Sequence, residues 1–378
     1  MKTIVKQQEN KMPLLNHPFI QVNHDENARD EFVLGLKRHI NLNFGPKLQD
    51  VYEKKAQPSF RKEKGRNFKN RHEARKQMVK EPTFQSWGSL WSTAQGLMWE
   101  TSESKSVRQY DDLIDKTTIR GKKKGSIKTN SKLEIPRYVS AVDIHGMPGG
   151  YGLELNDKDI MSGALYDTSG SIYGKGQGLR GGNHPSLALI KFIKNRFPNL
   201  KPKRILEQGC SAGGSTFFWS KAFPESKIFA IDLGAGMLRM AHAKMEKMGV
   251  EVHFSQQNAE NTDFPDNHFD LIISNIMIHE TSTKALPRIM KDCHRILKNG
   301  GVMAHMDVPL RNKELPAYME WYRDWSTHFN HEPFWGALHD MDIKKPIMAG
   351  GFKKQNIFDE MIPDDPHGVW WAAGGQKV

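Results

Sequence analysis

Residues 204–213 constrain the fold of this chain more than any other segment. A short apolar run ends in a carboxylate, Glu207, and a turn of small residues then leads to an apolar helix that begins near Gly214. Residues 227–232 form a second apolar run, which again ends in a carboxylate, Asp232. This order predicts a strand, a tight glycine turn, a helix and an acid-tipped strand, which together make half of a nucleotide-binding βαβ unit.

The spacing of the glycines separates one class of nucleotide from another. A dinucleotide fingerprint reads G-x-G-x-x-G and places a pyrophosphate on the helix N-terminus. Here Gly209 and Gly213 lie four positions apart, and Ser211 stands where the middle glycine is usual. The pattern Glu207-x-Gly209-x-x-x-Gly213 resembles motif I of class I S-adenosylmethionine-dependent methyltransferases. Because that cofactor carries no phosphate, a turn that keeps the acid and relaxes the glycines suits it. The alternative is a Rossmann-like domain for another nucleotide, or for none.

Later segments continue the resemblance over residues 185–308. Asn258 and Ala259 follow a third strand at the place where the family holds the adenine amino group, and an Asn oxygen can accept from an exocyclic amine. Asn275 ends a fourth strand, beside which the resemblance places the transferable methyl group. Residues 298–301 resemble the turn before the fifth strand in ubiquinone/menaquinone-type small-molecule methyltransferases.

The resemblance implies an α/β fold with a Rossmann-like, seven-stranded class I methyltransferase sheet, and S-adenosyl-L-methionine as cofactor. Within the sheet domain, the cofactor-binding residues that it implies are Glu207, Gly209, Cys210, Gly213, Asp232, Leu233, Asn258, Ala259 and Asn275.

Length and composition allow about two or three domains with an ample apolar core. There is no apolar window of the roughly eighteen residues that a membrane-spanning helix needs, and the first ten residues lack a hydrophobic segment of signal-peptide length. The two cysteines, Cys210 and Cys293, suggest neither a disulfide framework nor a zinc site. We therefore expect a cytoplasmic protein without membrane segments.

The net charge of +12 is unevenly distributed. Residues 54–80 are rich in Lys and Arg, and a second basic cluster lies at 120–128. One interpretation is a nucleic-acid-binding surface. The other, which we favour, is a solvated helix and an exposed loop, because the basic residues of 60–80 surround the helix and form no stripe interleaved with aromatic residues.

The sequence before the glycine turn predicts a mainly helical N-terminal cap over residues 1–134. Trp87, Trp91 and Trp99 recur on one face of a predicted helix, a spacing more typical of core packing than of a cation-binding cage. Residues 135–184 mix Gly, His, Tyr and Asp without periodicity and are expected to form lid loops. Residues 185–378 form the predicted cofactor-binding domain, with an insertion at about 311–345.

The lid loops supply candidate ligands of both cofactor and substrate. By position, Tyr173, Arg180 and Asn183 are candidates for the methionine carboxylate of the cofactor, for which a guanidinium is well suited. Candidates for substrate binding are Asp143, His145 and Tyr151 from the loops and His331 from the insertion.

The candidate catalytic residues follow the fourth and fifth strands. His279 and Glu280 come just after the methyl-transfer position, and Asp307 ends the fifth strand at the same edge of the sheet. His279 suits a base or an orienting donor, and the alternative is a His–Glu pair that caps a helix. His279, His328, His331 and Glu332 carry side chains that can bind a metal, but the spacing of His328 and His331 is not diagnostic of a metal site. We therefore predict no metal ion.

These observations predict a methyltransferase that acts on a small molecule by in-line displacement, and a small thiol is favoured because no strong base is evident. One alternative is an RNA-modifying methyltransferase that uses the basic cap. Another is a non-catalytic S-adenosylmethionine-binding regulator of a partner. The cap surface is also a candidate homodimer interface.

Overall fold

The computed structural model describes residues 16–173, 184–309, 317–364 and 368–378. A single sheet is built from β1 (Ser126–Lys128), β2 (Arg204–Gln208), β3 (Lys227–Asp232), β4 (His253–Gln256), β5 (Phe269–Asn275), β6 (Leu297–Asp307), β7 (Ile357–Asp364) and β8 (Gly368–Gln376). The spatial order is β1-β4-β3-β2-β5-β6-β8-β7. All neighbouring strands are parallel except β8, which is antiparallel to both β6 and β7.

Helices cover both faces of this sheet, and further helices pack beyond the carboxyl ends of its strands. In chain order they are α1 (His24–Val51), α2 (Gln57–Lys64), α3 (Arg71–Met78), α4 (Pro82–Arg108), α5 (Tyr110–Thr117), α6 (Arg137–Ser140), α7 (Met161–Ser169), α8 (Ser186–Arg196), α9 (Gly214–Ala222), α10 (Ala235–Lys247), α11 (Leu286–Ile296), α12 (Ala317–Arg323), α13 (Trp325–Phe329), α14 (Pro333–Asp340) and α15 (Lys344–Ala349). Among these, none is both long and apolar enough to cross a bilayer.

The central strands are apolar on both sides because each side meets helices. Ile205 and Ile273 point into one core, which they share with Trp219 of α9 and with α8 and α10. Leu206 and Ile272 point into the other, which α11 and α15 complete. Continuous burial of this kind is expected of parallel strands that are covered on both faces.

The predicted Rossmann-like α/β sheet is confirmed. The connection from β2 leads to β3 on one side, whereas β5 lies on the other side of β2, so the strand order reverses at this pair. In open α/β sheets ligands bind beyond the carboxyl ends of the strands at such a switch point. Gln208, Asp232, Asn275 and Asp307 end the four strands that surround it.

An eighth strand comes from the segment that the sequence assigned wholly to the helical cap. β1 pairs in parallel with β4, with Ser126 opposite His253 and Lys128 opposite Ser255. The preceding residue, Gly125, fits because a Cβ there would lie 2.1 Å from the Val252 carbonyl oxygen. The N-terminal segment is therefore joined to the sheet by backbone hydrogen bonds.

The cap is built around α1 and α4. Asn23 and Glu26 form a capping box that begins α1. Farther along, Lys105 of α4 and Asp30 of α1 form a fully buried ion pair, with Nζ 2.6 Å from Oδ1. Thr101 also donates to Asp30. These polar contacts fix the two long helices against each other.

The insertion packs on the cap. Tyr318 and Trp321 of α12 join the aromatic core around Trp87, and the ring of Trp325 lies edge-on to both Trp87 and Trp91. The periodic tryptophans of α4 therefore act as core packing, which is the favoured sequence interpretation. Cap and insertion share one apolar core as a result.

Candidate active site

The turn after β2 is held in a left-handed backbone conformation. Gly209, Ser211 and Gly213 have φ of 65°, 47° and 78°, respectively. That conformation is easy for glycine and strained for serine. The Ser211 amide donates to Asp232 Oδ2 at 2.8 Å, a charge-assisted bond that offsets the strain. The hydrogen bond to Asp232, the last residue of β3, therefore allows a serine to occupy this left-handed position.

Glu207 organises the turn from beneath. Its side chain is fully buried and accepts hydrogen bonds from the Ser215 hydroxyl, from the Thr216 hydroxyl at 2.5 Å and from Asn275 Nδ2 at 3.3 Å. Burial raises the pKa of this carboxyl to about 7, against the opposing effect of these donors. Glu207 therefore ties the first turn of α9 to the end of β5.

Asp232 presents a carboxylate beside the turn. Its Oδ1 accepts the Gly234 amide at 2.9 Å, and its Oδ2 accepts the Ser211 amide. Burial raises the pKa of Asp232, and the amides of Gly234, Ser211 and Leu233 oppose this rise. A carboxylate offers about four acceptor positions. Acceptor capacity therefore remains for another donor, such as a hydroxyl of a ribose diol.

The other predicted cofactor residues lie around the same crevice. The Asn275 Oδ1 atom is buried and has no hydrogen-bond partner among the described residues, so it is available to a ligand donor. Asn258 uses its Oδ1 to accept the Glu260 amide at 2.9 Å, which shapes the turn that contains Ala259. Cys210 is buried, and burial raises the pKa of its thiol well above the ordinary value. Leu233 follows Asp232, and its carbonyl accepts Gln256 Nε2 at 2.9 Å.

The predicted catalytic residues come together at the ends of β5 and β6. His279 Nδ1 donates to Asp307 Oδ1 at 2.6 Å, and the His279 amide lies 3.2 Å from Asp307 Oδ2. Asp307 also accepts the Val308 amide at 2.7 Å. Both side chains are almost completely buried. Asp307 thereby fixes the ring so that Nε2 faces away from the sheet.

Two residues from other segments meet that ring. Glu332, which precedes α14, places Oε2 3.3 Å from His279 Nε2 and Oε1 3.1 Å from His145 Nδ1. His145 has a strained φ of 59°, and its carbonyl accepts Trp99 Nε1 at 2.8 Å and Gln95 Nε2 at 3.1 Å. We refer to His145, His279 and Glu332 as the His–Glu cluster. One potential ligand atom from each lies within 4.8 Å of the others, a grouping that could hold a metal ion.

Further polar side chains surround this cluster. Glu280 Oε1 accepts the Tyr151 hydroxyl at 3.0 Å and lies 3.3 Å from His145 Nε2. The Tyr173 hydroxyl lies 2.9 Å from His145 Nδ1, and Asn330 Nδ2 donates to Glu332 Oε1 at 2.6 Å. The Trp335 ring packs edge-on against the His279 ring, with centroids 4.9 Å apart. Aromatic and polar groups thus enclose the cluster.

The carboxylates and imidazoles strongly perturb one another's pKa values. Burial alone would lower the pKa of His145, but Glu332 and Glu280 raise it to about 9. Burial acts in the same direction on His279, yet Asp307 and Glu332 raise its pKa well above the ordinary value. Burial would raise the pKa of Glu332, and the two histidines lower it instead. The cluster is therefore arranged to hold positive charge.

Two predicted substrate residues lie outside this arrangement. Asp143 is exposed. His331 is also exposed, with a left-handed φ of 56°, while its neighbour Glu332 faces the cluster. Arg180, like Asn183, lies outside the described residues. His145, Tyr151 and Tyr173 do reach the cluster.

Sequence reasoning missed two contributors to the site. Asn330 belongs to an insertion whose fold no motif predicts, and Glu332 of the same insertion was considered only as a metal ligand. Lys37 of α1 is buried, donates to Gln95 Oε1 at 2.8 Å and lies over the ring of Tyr173. Burial lowers the pKa of Lys37 to about 7. The one sequence feature that could have indicated a role for Lys37 is its position on the apolar face of a predicted helix.

The match to a known protein family falls within the sheet domain. Residues 205–301 match a family described as a methyltransferase domain. Residues 205–301 therefore resemble a methyltransferase domain. The acceptor capacity of Asp232 and the Asn275 Oδ1 atom, which has no hydrogen-bond partner among the described residues, fit S-adenosyl-L-methionine, the cofactor that the motif resemblance implies.

Curated relatives resemble the methyltransferase domain over part of their length. The chain is 30% identical over 165 residues to phthiotriol/phenolphthiotriol dimycocerosates methyltransferase of Mycobacterium leprae, covering 44% of this chain and 58% of that protein. It is 32% identical over 102 residues to a ubiquinone/menaquinone biosynthesis C-methyltransferase of Vibrio cholerae, covering 26% and 38%. The chain therefore spans less than two thirds of the length of either relative.

Solved structures include a phosphoethanolamine N-methyltransferase 2 from Haemonchus contortus with S-adenosylhomocysteine and phosphomonomethylethanolamine. It is 16% identical, covers 52% of this chain and 53% of that one, and has a TM-score of 0.39. A methyltransferase from Aquifex aeolicus is 20% identical, with coverage of 53% and 97% and a TM-score of 0.37.

Proposed function

We propose that the protein transfers a methyl group from S-adenosyl-L-methionine to a small molecule, and that the acceptor is a thiol. The observation that carries the proposal is the placement of the His–Glu cluster. The cluster lies at the carboxyl ends of β5 and β6, and the Gly209–Gly213 turn and Asp232 lie at the ends of the neighbouring β2 and β3.

Enclosure favours a compact acceptor. His279 and Glu332 are each 2% exposed or less. Trp99 of α4 holds the His145 loop from above, and Trp335 of the insertion packs against His279. A polymer would have to displace the cap to reach these groups. A small molecule can instead be surrounded by them, which excludes water from the reaction.

The residues of the chain position and deprotonate the acceptor. Bound S-adenosyl-L-methionine supplies a methyl group on a sulfonium, which is already a good leaving group. The raised pKa of His279 keeps its ring protonated near neutral pH, so this residue suits an orienting donor better than a base. Glu280, held by the Tyr151 hydroxyl at 3.0 Å, is the carboxylate available to accept a proton.

A thiol is the acceptor class that best fits the chemistry of His279 and Glu280. A carboxylate is a weak base, whereas the ordinary pKa of a thiol is about 8.5 and that of an amine is about 10. Proton removal by Glu280 is therefore less unfavourable from a thiol than from an ammonium group or an alcohol. The thiolate is also the stronger nucleophile toward a methyl sulfonium.

The basic residues of the cap give little support to the alternative of an RNA-modifying methyltransferase. Several of its cations are already paired with carboxylates of the cap and insertion. These pairs are Arg66 with Glu73, Arg71 with Asp324 and Asp340, Arg75 with Asp324, Lys54 with Asp50, and Lys55 with Glu81. Cations used in this way contribute to folding and are less available to phosphates.

Two measurements test the proposal in sequence. Calorimetry should give micromolar binding of S-adenosyl-L-methionine to the wild type and a loss of about 10- to 100-fold in Asp232→Ala. Glu225→Gln, which lies before β3 at the opposite edge of the sheet, is the matched control and should bind normally. Turnover is then measured with small thiols, amines and hydroxy acids. Turnover of amines or hydroxy acids with none of thiols rejects the thiol, and absence of cofactor binding rejects the function.

A further inference from the structure

We propose that His145, His279 and Glu332 form a binding site for a divalent transition-metal ion, and that Zn²⁺ is the ion it fits best. Two imidazoles and one carboxylate are the donor set of many catalytic zinc sites, which use three protein ligands and keep one position open. The three side chains here come from three separate segments and place their potential ligand atoms within 4.8 Å of one another.

The spacing of these atoms suits a shared ion better than direct hydrogen bonds. Glu332 lies 3.3 Å from His279 Nε2 and 3.1 Å from His145 Nδ1. A charge-assisted N–H···O bond is about 2.7–2.9 Å long. Two ligand atoms that are each about 2.0–2.1 Å from one tetrahedral ion lie about 3.3 Å apart. The 3.3 Å between Glu332 Oε2 and His279 Nε2 matches the second distance, and the 3.1 Å between the other carboxylate oxygen, Oε1, and His145 Nδ1 also exceeds the hydrogen-bond range.

One ligand atom has an ion-pair contact but no hydrogen bond of normal geometry. The Oε2 atom of Glu332 is buried and lies 3.3 Å from His279 Nε2, and it accepts no hydrogen bond from the described part of the chain. A buried carboxylate oxygen without a well-placed donor costs free energy. A cation bound between it and His279 Nε2 would take the place of the Nε2 proton and satisfy this oxygen.

Surrounding residues orient the ligands as in known metal sites. Ligating histidines commonly donate their second ring nitrogen to a carboxylate. His279 does this through Nδ1 to Asp307 Oδ1 at 2.6 Å. On the other oxygen of Glu332, Asn330 Nδ2 donates to Oε1 at 2.6 Å. The backbone of His145 is fixed by Trp99 and Gln95 in a conformation that is strained for a non-glycine residue.

The open position gives the ion a use, and this use rests on the proposed function. Zn²⁺ held there would favour the thiolate form of an acceptor thiol: the S–H bond would break heterolytically and both electrons would remain on sulfur. The proton would pass to Glu280, whose Oε1 lies 3.9 Å from His279 Nε2. Such a site would select an acceptor with a soft, ionisable heteroatom.

Metal binding is tested on the purified full chain after it has been treated with a chelator. Titration with ZnCl₂ should give one ion per chain. His145→Gln and Glu332→Gln should each weaken binding about 100-fold or more. Asp307→Asn, which keeps all three ligands, should weaken it about 10- to 100-fold. The control is His328→Gln, because His328 contacts Asp324 and lies outside the cluster; it should bind Zn²⁺ as the wild type does.

Far-UV circular dichroism of the same samples reports whether each variant is folded, and binding of S-adenosyl-L-methionine is measured separately. The proposal is overturned if the folded wild type binds no Zn²⁺, or if Glu332→Gln and His328→Gln bind it equally well. Cofactor binding without Zn²⁺ binding rejects the metal site and leaves the proposed function standing. Zn²⁺ binding that depends on Glu332, without cofactor binding, supports the metal site and rejects the proposed function.

Discussion

Arg71 Nε lies 2.9 Å from Asp324 Oδ1, and this contact joins the cap to the insertion across 253 positions of sequence. The two side chains are 3% and 2% exposed. The Arg71 guanidinium also contacts Asp340 and the Gly336 carbonyl, each at 2.8 Å. The insertion that carries Glu332 is thus anchored to α3 by a buried, fully bonded cation.

Removing that cation should loosen the insertion. Arg71→Met leaves the Asp324 carboxylate buried beside fewer donors, and we expect a loss of about 3 kcal/mol in the free energy of unfolding, measured in urea. The control is Arg66→Met, which breaks a more exposed ion pair with Glu73 and should cost much less. Equal losses in the two variants would contradict the anchoring role.

Glu280→Gln should slow methyl transfer while leaving cofactor binding intact. The amide is close in shape to the carboxylate and can still accept from Tyr151, but it cannot take a proton. We expect kcat to fall by about 10²- to 10³-fold, with the affinity for S-adenosyl-L-methionine unchanged by calorimetry. A matched Tyr151→Phe variant, which keeps the carboxylate and loses one hydrogen bond, should fall by about 10-fold or less. An unchanged kcat in Glu280→Gln would remove Glu280 from the mechanism.

Gly234→Ala should disturb both the cofactor turn and the lid. A Cβ at this position would lie 2.3 Å from the Tyr151 carbonyl oxygen, and a backbone atom cannot move away cheaply. We expect a clear fall in melting temperature together with weaker cofactor binding, because the Gly234 amide also binds Asp232. Gly96→Ala in α4, where nothing lies within 4 Å of the added Cβ, should instead be neutral or stabilise by up to about 1 kcal/mol.

Stability should fall in mild acid partly because of His305. This residue is fully buried, and burial lowers its pKa from 6.5 to about 4. The unfolded chain therefore binds a proton more readily than the folded chain, so this contribution is complete above pH 6.5 and is lost as the pH falls toward 4. Urea unfolding at several pH values should show His305→Asn reducing that loss by about 3 kcal/mol. His24→Gln, in which the replaced ring is 94% exposed, is the surface control.

The sheet and its cofactor turn could be predicted because their determinants are local. Glu207, Gly209 and Gly213 specify a strand, a left-handed turn and a helix within a few positions, and each strand ends close to where its apolar run ends. The meeting of His279 with Asp307 was also predictable, because β5 and β6 are parallel neighbours whose carboxyl ends share one edge.

The rest of the site depends on long-range packing that leaves no periodic signal. The sequence offers His331 and Glu332 side by side, and only the backbone turn at φ 56° decides that His331 is exposed while Glu332 is buried. His145 enters the site because Trp99, in a distant helix, binds its carbonyl. β1 escaped prediction because three residues in a basic loop are too few for their alternation to be recognised as a strand.

The pairing of β1 with β4 has a consequence for the order in which the chain acquires its structure. β1 can pair with the sheet only after β4 has been synthesised, because its Ser126 lies opposite His253, 127 positions later in the sequence. Contacts this distant in sequence slow folding, because a long loop must close before they form. During synthesis the cap helices leave the ribosome long before their strand has a neighbour, so the N-terminal third should complete its structure only after most of the sheet exists.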